Sequence, residues 1–221
     1  AWALVEEAAA IPPLDLARIC QRAENAYVGV NCGLMDQFAI ACGVDGAAML
    51  LDCRSLAWEA VALPLASHAL VVVHTGSTRS LGASQFNARR AQCEAAAAAL
   101  AADDPRIRSL RDVTVDMLPA VRARVDEETY RRCRHVVTEN ARVETTIAAL
   151  AAGDLATVGA AWAASHASLR DDYDVVSPEL DALVDIASAV PGVVAAVEAR
   201  PALRQRQARR RQAGPGGQIR D

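Results

Sequence analysis

Strand-like periodicity in this chain gathers in residues 47–74, between two helical regions. Ala47–Cys53 and Trp58–Leu63 read as two strands with Arg54-Ser55 in the turn region, and Ala69–His74, almost wholly apolar, reads as a third strand buried on both faces. Before them, Leu14–Asn25 has an amphipathic helical pattern with Leu16, Ile19, Cys20 and Ala23 on one face, and Pro12-Pro13 separate it from an Ala-rich helix end in residues 1–10. A second helix is expected over Met35–Cys42, stopped by Gly43. The expected class is α+β, with an antiparallel-leaning sheet.

The rest is helical in pattern. Leu81–Ala102 contains the five-alanine run Ala95–Ala99, a strong helix former, and Asp103-Asp104-Pro105 ends it. Thr114 can cap a short helix through Ala123. Asp126–Ala152 is the longest pattern; Val136, Asn140, Val143, Ile147 and Leu150 give one stripe expected to be buried, and Gly153 is the expected C-cap. The next helix carries Leu155, Val158, Trp162, His166 and Leu169, which makes His166 a core histidine before it is a catalytic one. Ser177-Pro178 opens a last helix that runs to Val190.

Composition bounds the chemistry. The 221 residues are 52% hydrophobic but only 4% aromatic, so the core must be built from Ala, Val and Leu. The net charge of −4 argues against a nucleic-acid or anionic-membrane binder, and all 23 basic residues are Arg, which leaves no lysine-dependent mechanism. The six cysteines form no C-x-x-C pair and no zinc-spaced cluster; they read as reduced, mostly buried thiols of a cytoplasmic protein. No apolar run reaches membrane-spanning length. The start, A-W-A-L-V-E-E, lacks methionine and a signal-peptide pattern, and suggests that the natural N-terminus is missing.

The candidate chemistry lies in E-N-A-Y-V-G-V-N-C-G-L-M-D-Q-F, residues 24–38. It places Glu24 at the end of one helix and Asp36 near the start of the next, with a glycine turn at Gly33 between them. Backbone N–H groups and the helix dipole favour an ionised carboxylate at such a start. A carboxylate held there can take a proton from a substrate hydroxyl or bind a cation. Spacing alone favours a plainer reading, an N-capping Asp and a solvated helical Glu. The loop Thr75-Gly76-Ser77-Thr78, followed by Arg79, is equally open to meeting a phosphate or to being an ordinary connection.

The same stretch resembles the galactokinase branch of the GHMP kinases. The resemblance continues through L-D-C-R-S-L (51–56), N-A-R-R-A-Q-C-E (87–94), R-H-V-V-T-E-N (134–140) and S-H-A-S-L-R-D-D-Y (165–173), in family order, and covers roughly Leu14–Val193. It implies a two-domain fold, with residues 1–80 the remainder of the N-terminal domain, 81–193 the helix-rich part of the C-terminal domain, and 194–221 an Arg-rich tail expected to be disordered. It implies ATP-dependent phosphorylation of the anomeric hydroxyl of α-D-galactose with Mg2+, Asp36 being the catalytic base, Glu24 the metal ligand and Gly33 the residue against the sugar. It also implies that Phe86 stands where the family usually has a tyrosine whose hydroxyl touches the sugar. No nucleic-acid or membrane partner is implied.

The family's G-E-H-x-D-Y and P-x-G-x-G-L-S-S-S-A motifs, with the phosphate cradle and second magnesium ligand, do not occur in these 221 residues. These residues alone are therefore expected to have negligible turnover, and an inactive galactokinase remnant or galactokinase-like binding protein is the alternative. After Val193 the family's G-G-G-F-G-G block gives way to seven Arg and two acids, a switch that looks like a frame shift or an artificial junction. An unrelated protein with a nucleic-acid-binding tail is the remote third reading.

Overall fold

Pro13 opens the first helix, α1 (Pro13–Ala23), where its missing N–H costs nothing. The computed structural model describes residues 11–76 and 83–197; the helix end expected in 1–10, the loop residues Ser77, Thr78 and Arg79, and the tail beyond 197 lie outside them. α1 packs against α2 (Met35–Cys42), with Ala17 and Phe38 the buried residues of this pair. Gly43 then turns the chain away: a Cβ there would lie 2.6 Å from the Ala39 carbonyl oxygen.

The first two strands form as expected. β1 (Ala47–Leu51) and β2 (Trp58–Ala62) pair antiparallel, Ala47 opposite Ala62 and Leu51 opposite Trp58. The Asp52 carboxylate accepts from the N–H groups of Arg54 and Ser55 at 2.8 and 2.9 Å and so builds the turn. The Phe38 and Trp58 rings meet edge to face at 6.5 Å, joining α2 to the hairpin.

The third strand does not form. Residues 69–74 run without strand pairing, and Leu70, Val71, Val72 and Val73 are between 59% and 75% exposed. A strand buried on both faces needs sheet neighbours and a layer on each side. Among the described residues β1 and β2 pair only with each other, so this apolar segment has no edge to join.

The main core is helical. Ala96, Ala97 and Leu100 of α3 (Ala83–Ala101) pack with Ile107, Leu110 and Val113, with Leu118 and Val121 of α4 (Leu118–Arg122), and with Tyr130, Cys133 and Val137 of α5 (Glu127–Ala152). As the composition requires, small aliphatic residues dominate it. Short 3-10 turns at Leu110–Asp112 and Val115–Met117 join α3 to α4. Thr114 stands at the start of the second without a capping bond. α5 is capped by Asp126 at one end and by left-handed Gly153 at the other. α6 (Leu155–Asp171) packs back along it, and α7 (Pro178–Ser188) starts from Ser177, whose hydroxyl accepts from the Leu180 N–H.

Two expectations about burial fail. The stripe Val136–Leu150 is not a buried seam: Asn140 and Val143 are exposed and the others half-buried, while the buried face of α5 carries Tyr130, Cys133 and Val137. Val143, Ile147 and Leu150 of that stripe instead line a cavity of about 230 Å3 between the hairpin and α5–α6, together with Met49, Leu50, Val61 and Trp162. The cysteines, all free, are mostly not buried either; Cys133 is, whereas Cys20 and Cys53 are exposed. Among the described residues no helix is long and apolar enough to cross a membrane.

Ion pairs fasten the hairpin to the helical part. Arg54 grips Asp112 with both guanidinium nitrogens at 2.8 and 2.9 Å, and Arg111 returns a two-pronged bond to Asp52. The guanidinium of Arg111 holds the Asp52 carboxyl well below the usual carboxylate range, and that of Arg54 does the same to Asp112.

Candidate active site

Between α1 and α2 the chain changes character. A single π-helical turn, Glu24–Val28, extends α1 and ends at Gly29, whose φ of 78° is left-handed. Gly29 therefore makes the bend that was expected at Gly33. Such π turns recur at functional sites because they aim side chains off the regular helical register. Residues 30–33 then run without helix to α2. A Cβ on Gly33 would meet nothing within 4 Å, so nothing in the described chain demands a glycine there.

Asp36 is in the first turn of α2 and is solvent-exposed. It does not cap the helix; Leu34 holds the cap position without a side-chain bond. Glu24 is half-buried at the start of the π turn, and its Oε2 accepts from the Cys32 thiol at 3.3 Å. The plain reading of a capping Asp and a solvated Glu thus fails for both residues.

Cys32 ties the segment together, a role for which the sequence offers no periodic signal. Its N–H donates to Asn25 Oδ1 at 3.1 Å, its carbonyl accepts from Gln21 Nε2 at 3.2 Å, and its sulfur lies 3.3 Å from Asn25 Oδ1 and 3.7 Å from Gln37 Nε2. Burial first, then the bond to Glu24, push the Cys32 thiol up, so it is a protonated donor.

The helix carrying Phe86 is bound to the same loop. Asn87 Oδ1 accepts from the Asn31 N–H at 3.3 Å, and Arg90 donates to the Asn31 carbonyl and Oδ1 at 2.8 and 3.0 Å. Half-buried Phe86 is the neighbour of Asn87, two residues of loop away from Gly33 through Asn31. The structure thus brings Glu24, Gly33 and Asp36 onto one linked segment and fastens the start of α3 to it. Asn31, Asn87 and Arg90 do the fastening, and no periodicity or spacing in the sequence marks them for it.

His166 is a core residue, as its apolar face implies. It is buried, its Nε2 lies 3.0 Å from Asp181 Oδ1, and its Nδ1 has no partner among the described residues. No group of three or more His, Cys, Asp and Glu among the described residues could hold a metal ion by itself.

The match of residues 1–44 to the model of the GHMP kinases N terminal domain covers this segment. Galactokinase of Roseiflexus sp. (strain RS-1) is 48% identical over 178 residues, 80% of this chain and 45% of the relative. The chain belongs to the GHMP kinase family. Galactokinase of Halalkalibacterium halodurans is 42% identical over 185 residues, 83% of the chain and 47% of the relative. Among solved structures, the GHMP kinase fold is seen in Lactococcus lactis galactokinase complexed with galactose, which matches with a TM-score of 0.78 at 37% identity, over 84% of this chain and 48% of that one. This chain therefore spans about half the length of the GHMP kinases it matches, and the α+β reading holds.

Proposed function

We propose that this chain carries the base and the metal-binding carboxylate of a galactokinase, which transfers the γ-phosphoryl group of ATP to the anomeric hydroxyl of α-D-galactose in the cytoplasm and yields galactose 1-phosphate. The observation that carries the reading is the linked segment of Glu24, Gly33 and Asp36, in a chain whose relatives at 42% and 48% identity are galactokinases. On this reading residues 1–80 belong to the N-terminal domain of the fold and 81–193 to the C-terminal one.

Phosphoryl transfer asks a protein for positioning and charge more than for covalent chemistry. Asp36 orients the sugar hydroxyl and takes its proton; its exposed place in the first turn of α2 leaves it reachable. The open space over Gly33 leaves room for a sugar ring against the backbone. Phe86 supplies a flat apolar side wall but no hydroxyl.

The donor set fits Mg2+. This ion keeps several waters and is held by one or two carboxylates plus substrate phosphates, not by a cage of protein ligands. Glu24, with one oxygen engaged by Cys32 and no bond to the other among the described residues, fits as such a single ligand. When bound, Mg2+ neutralises charge on the phosphates of ATP. The test is product analysis with protein expressed from the complete reading frame of the gene: ADP and galactose 1-phosphate should appear together, only with Mg2+. Hydrolysis of ATP that ignores galactose contradicts the reading.

A further inference from the structure

We propose that Cys32 is a positioning residue, whose thiol fixes the Glu24 carboxylate and couples it to the helix carrying Asp36. The inference rests on the galactokinase reading of Glu24 and Asp36.

Every polar atom of Cys32 is engaged. Its backbone binds Gln21 on α1 and Asn25 in the π turn; its sulfur faces Glu24, Asn25 and Gln37. The sulfur has one hydrogen and two acceptors at 3.3 Å. Of the two, the Glu24 carboxylate oxygen carries negative charge and is the stronger acceptor for the thiol hydrogen. Gln37, adjacent to Asp36, points its Nε2 at the same sulfur, while its Oε1 is buried without a partner. The sulfur thus engages the Gln37 amide nitrogen and adds a polar link between the start of α2, which packs on α1 through Phe38, and the π turn.

A glutamate has several rotatable bonds and loses that freedom when a cation orders it. A donor that fixes it beforehand removes part of the cost, as groups behind metal ligands generally do. A thiol suits the task. It is a weak donor, so it orients the carboxylate while withdrawing little of its charge.

The experiment compares C32A, C32S, E24Q and the double variant C32A/E24Q in protein from the complete reading frame. Calorimetry measures Mg2+-dependent binding of a non-hydrolysable ATP analogue, beside kcat, KM and melting temperature. C32A should weaken that binding about 2- to 10-fold, with KM for galactose unchanged. C32S restores a donor and should recover to within about twofold of the parent. C32A should add nothing in the E24Q background, because its effect runs through that carboxylate. Equal losses in C32A and C32S, or a full loss in the E24Q background, overturn the proposal. If E24Q leaves Mg2+-dependent binding intact, the reading of the site fails first; if E24Q weakens it and C32A does not, the positioning role alone fails. Should C32A not fold, Q37M decides: a loss of the same kind supports the link through sulfur, and unchanged binding overturns it.

Discussion

Apolar side chains of similar size meet opposite environments in the two parts of this molecule. Leu100, Ile107, Leu110 and Leu118 are between 4% and 7% exposed, whereas Val28, Ile40, Leu70 and Val71 are between 63% and 75% exposed. The first group belongs to α3–α5, which close a core on themselves. The second belongs to the region from α1 to residue 76, which packs through Ala17, Phe38 and the hairpin but leaves much of its apolar surface open. Contiguous open apolar surface marks interfaces and ligand grooves. The candidate carboxylates stand in this open part, and the helical part reaches them through Asn87 and Arg90. Residues of α3–α5 hold the fold, whereas those before residue 77 leave an apolar surface open beside the candidate site.

Substitution in the candidate site should move activity most and stability least. Asp36→Asn, in protein from the complete reading frame, should lower kcat about 10²- to 10⁴-fold, the range of a general base, with an unchanged melting temperature. Steady-state assays and thermal melts check this together.

Core truncation should do the reverse. Leu100→Ala should cost about 2–5 kcal/mol of stability, and Ile40→Ala about 0.5 kcal/mol or less, read from urea unfolding. Comparable losses would show that the open part is as tightly packed as the helical one.

The clasp between the two parts should respond to acid. Asp52 and Asp112 have folded values depressed by Arg111 and Arg54, so their stabilisation is present above the ordinary carboxylate value of about 4 and is lost as pH falls through the depressed values. Melting temperature should fall more steeply below about pH 4 in the parent than in D52N/D112N. Parallel curves would remove the clasp from the account. The smallest effect is at the site wall: Phe86→Tyr should lower KM for galactose about 2- to 10-fold by adding one hydrogen bond, with kcat little changed.

The sequence made legible the elements that carry their own punctuation. Asp126, Gly153 and Ser177-Pro178 bound helices where expected, and Asp52 closes the hairpin at Arg54-Ser55. Where burial depends on a partner layer, pattern alone misled. Leu70–Val73 is apolar enough for an inner strand but has no sheet to enter, and Val143 faces a cavity instead of a seam. In the site, the spacing of Glu24 and Asp36 was readable because one short segment carries both. The bend at Gly29 was not, since two glycines four residues apart, Gly29 and Gly33, do not say which one turns the chain. The Asn31 clamp and the Cys32 links join side chains across as many as 59 positions, and no periodicity records such bonds.

The most direct measurement is galactose-dependent release of ADP by protein from the complete reading frame, with Asp36→Asn beside the parent. Release should require both galactose and Mg2+ in the parent and fall at least about 100-fold in the variant. Release of equal rate in the two proteins would contradict Asp36 as the base.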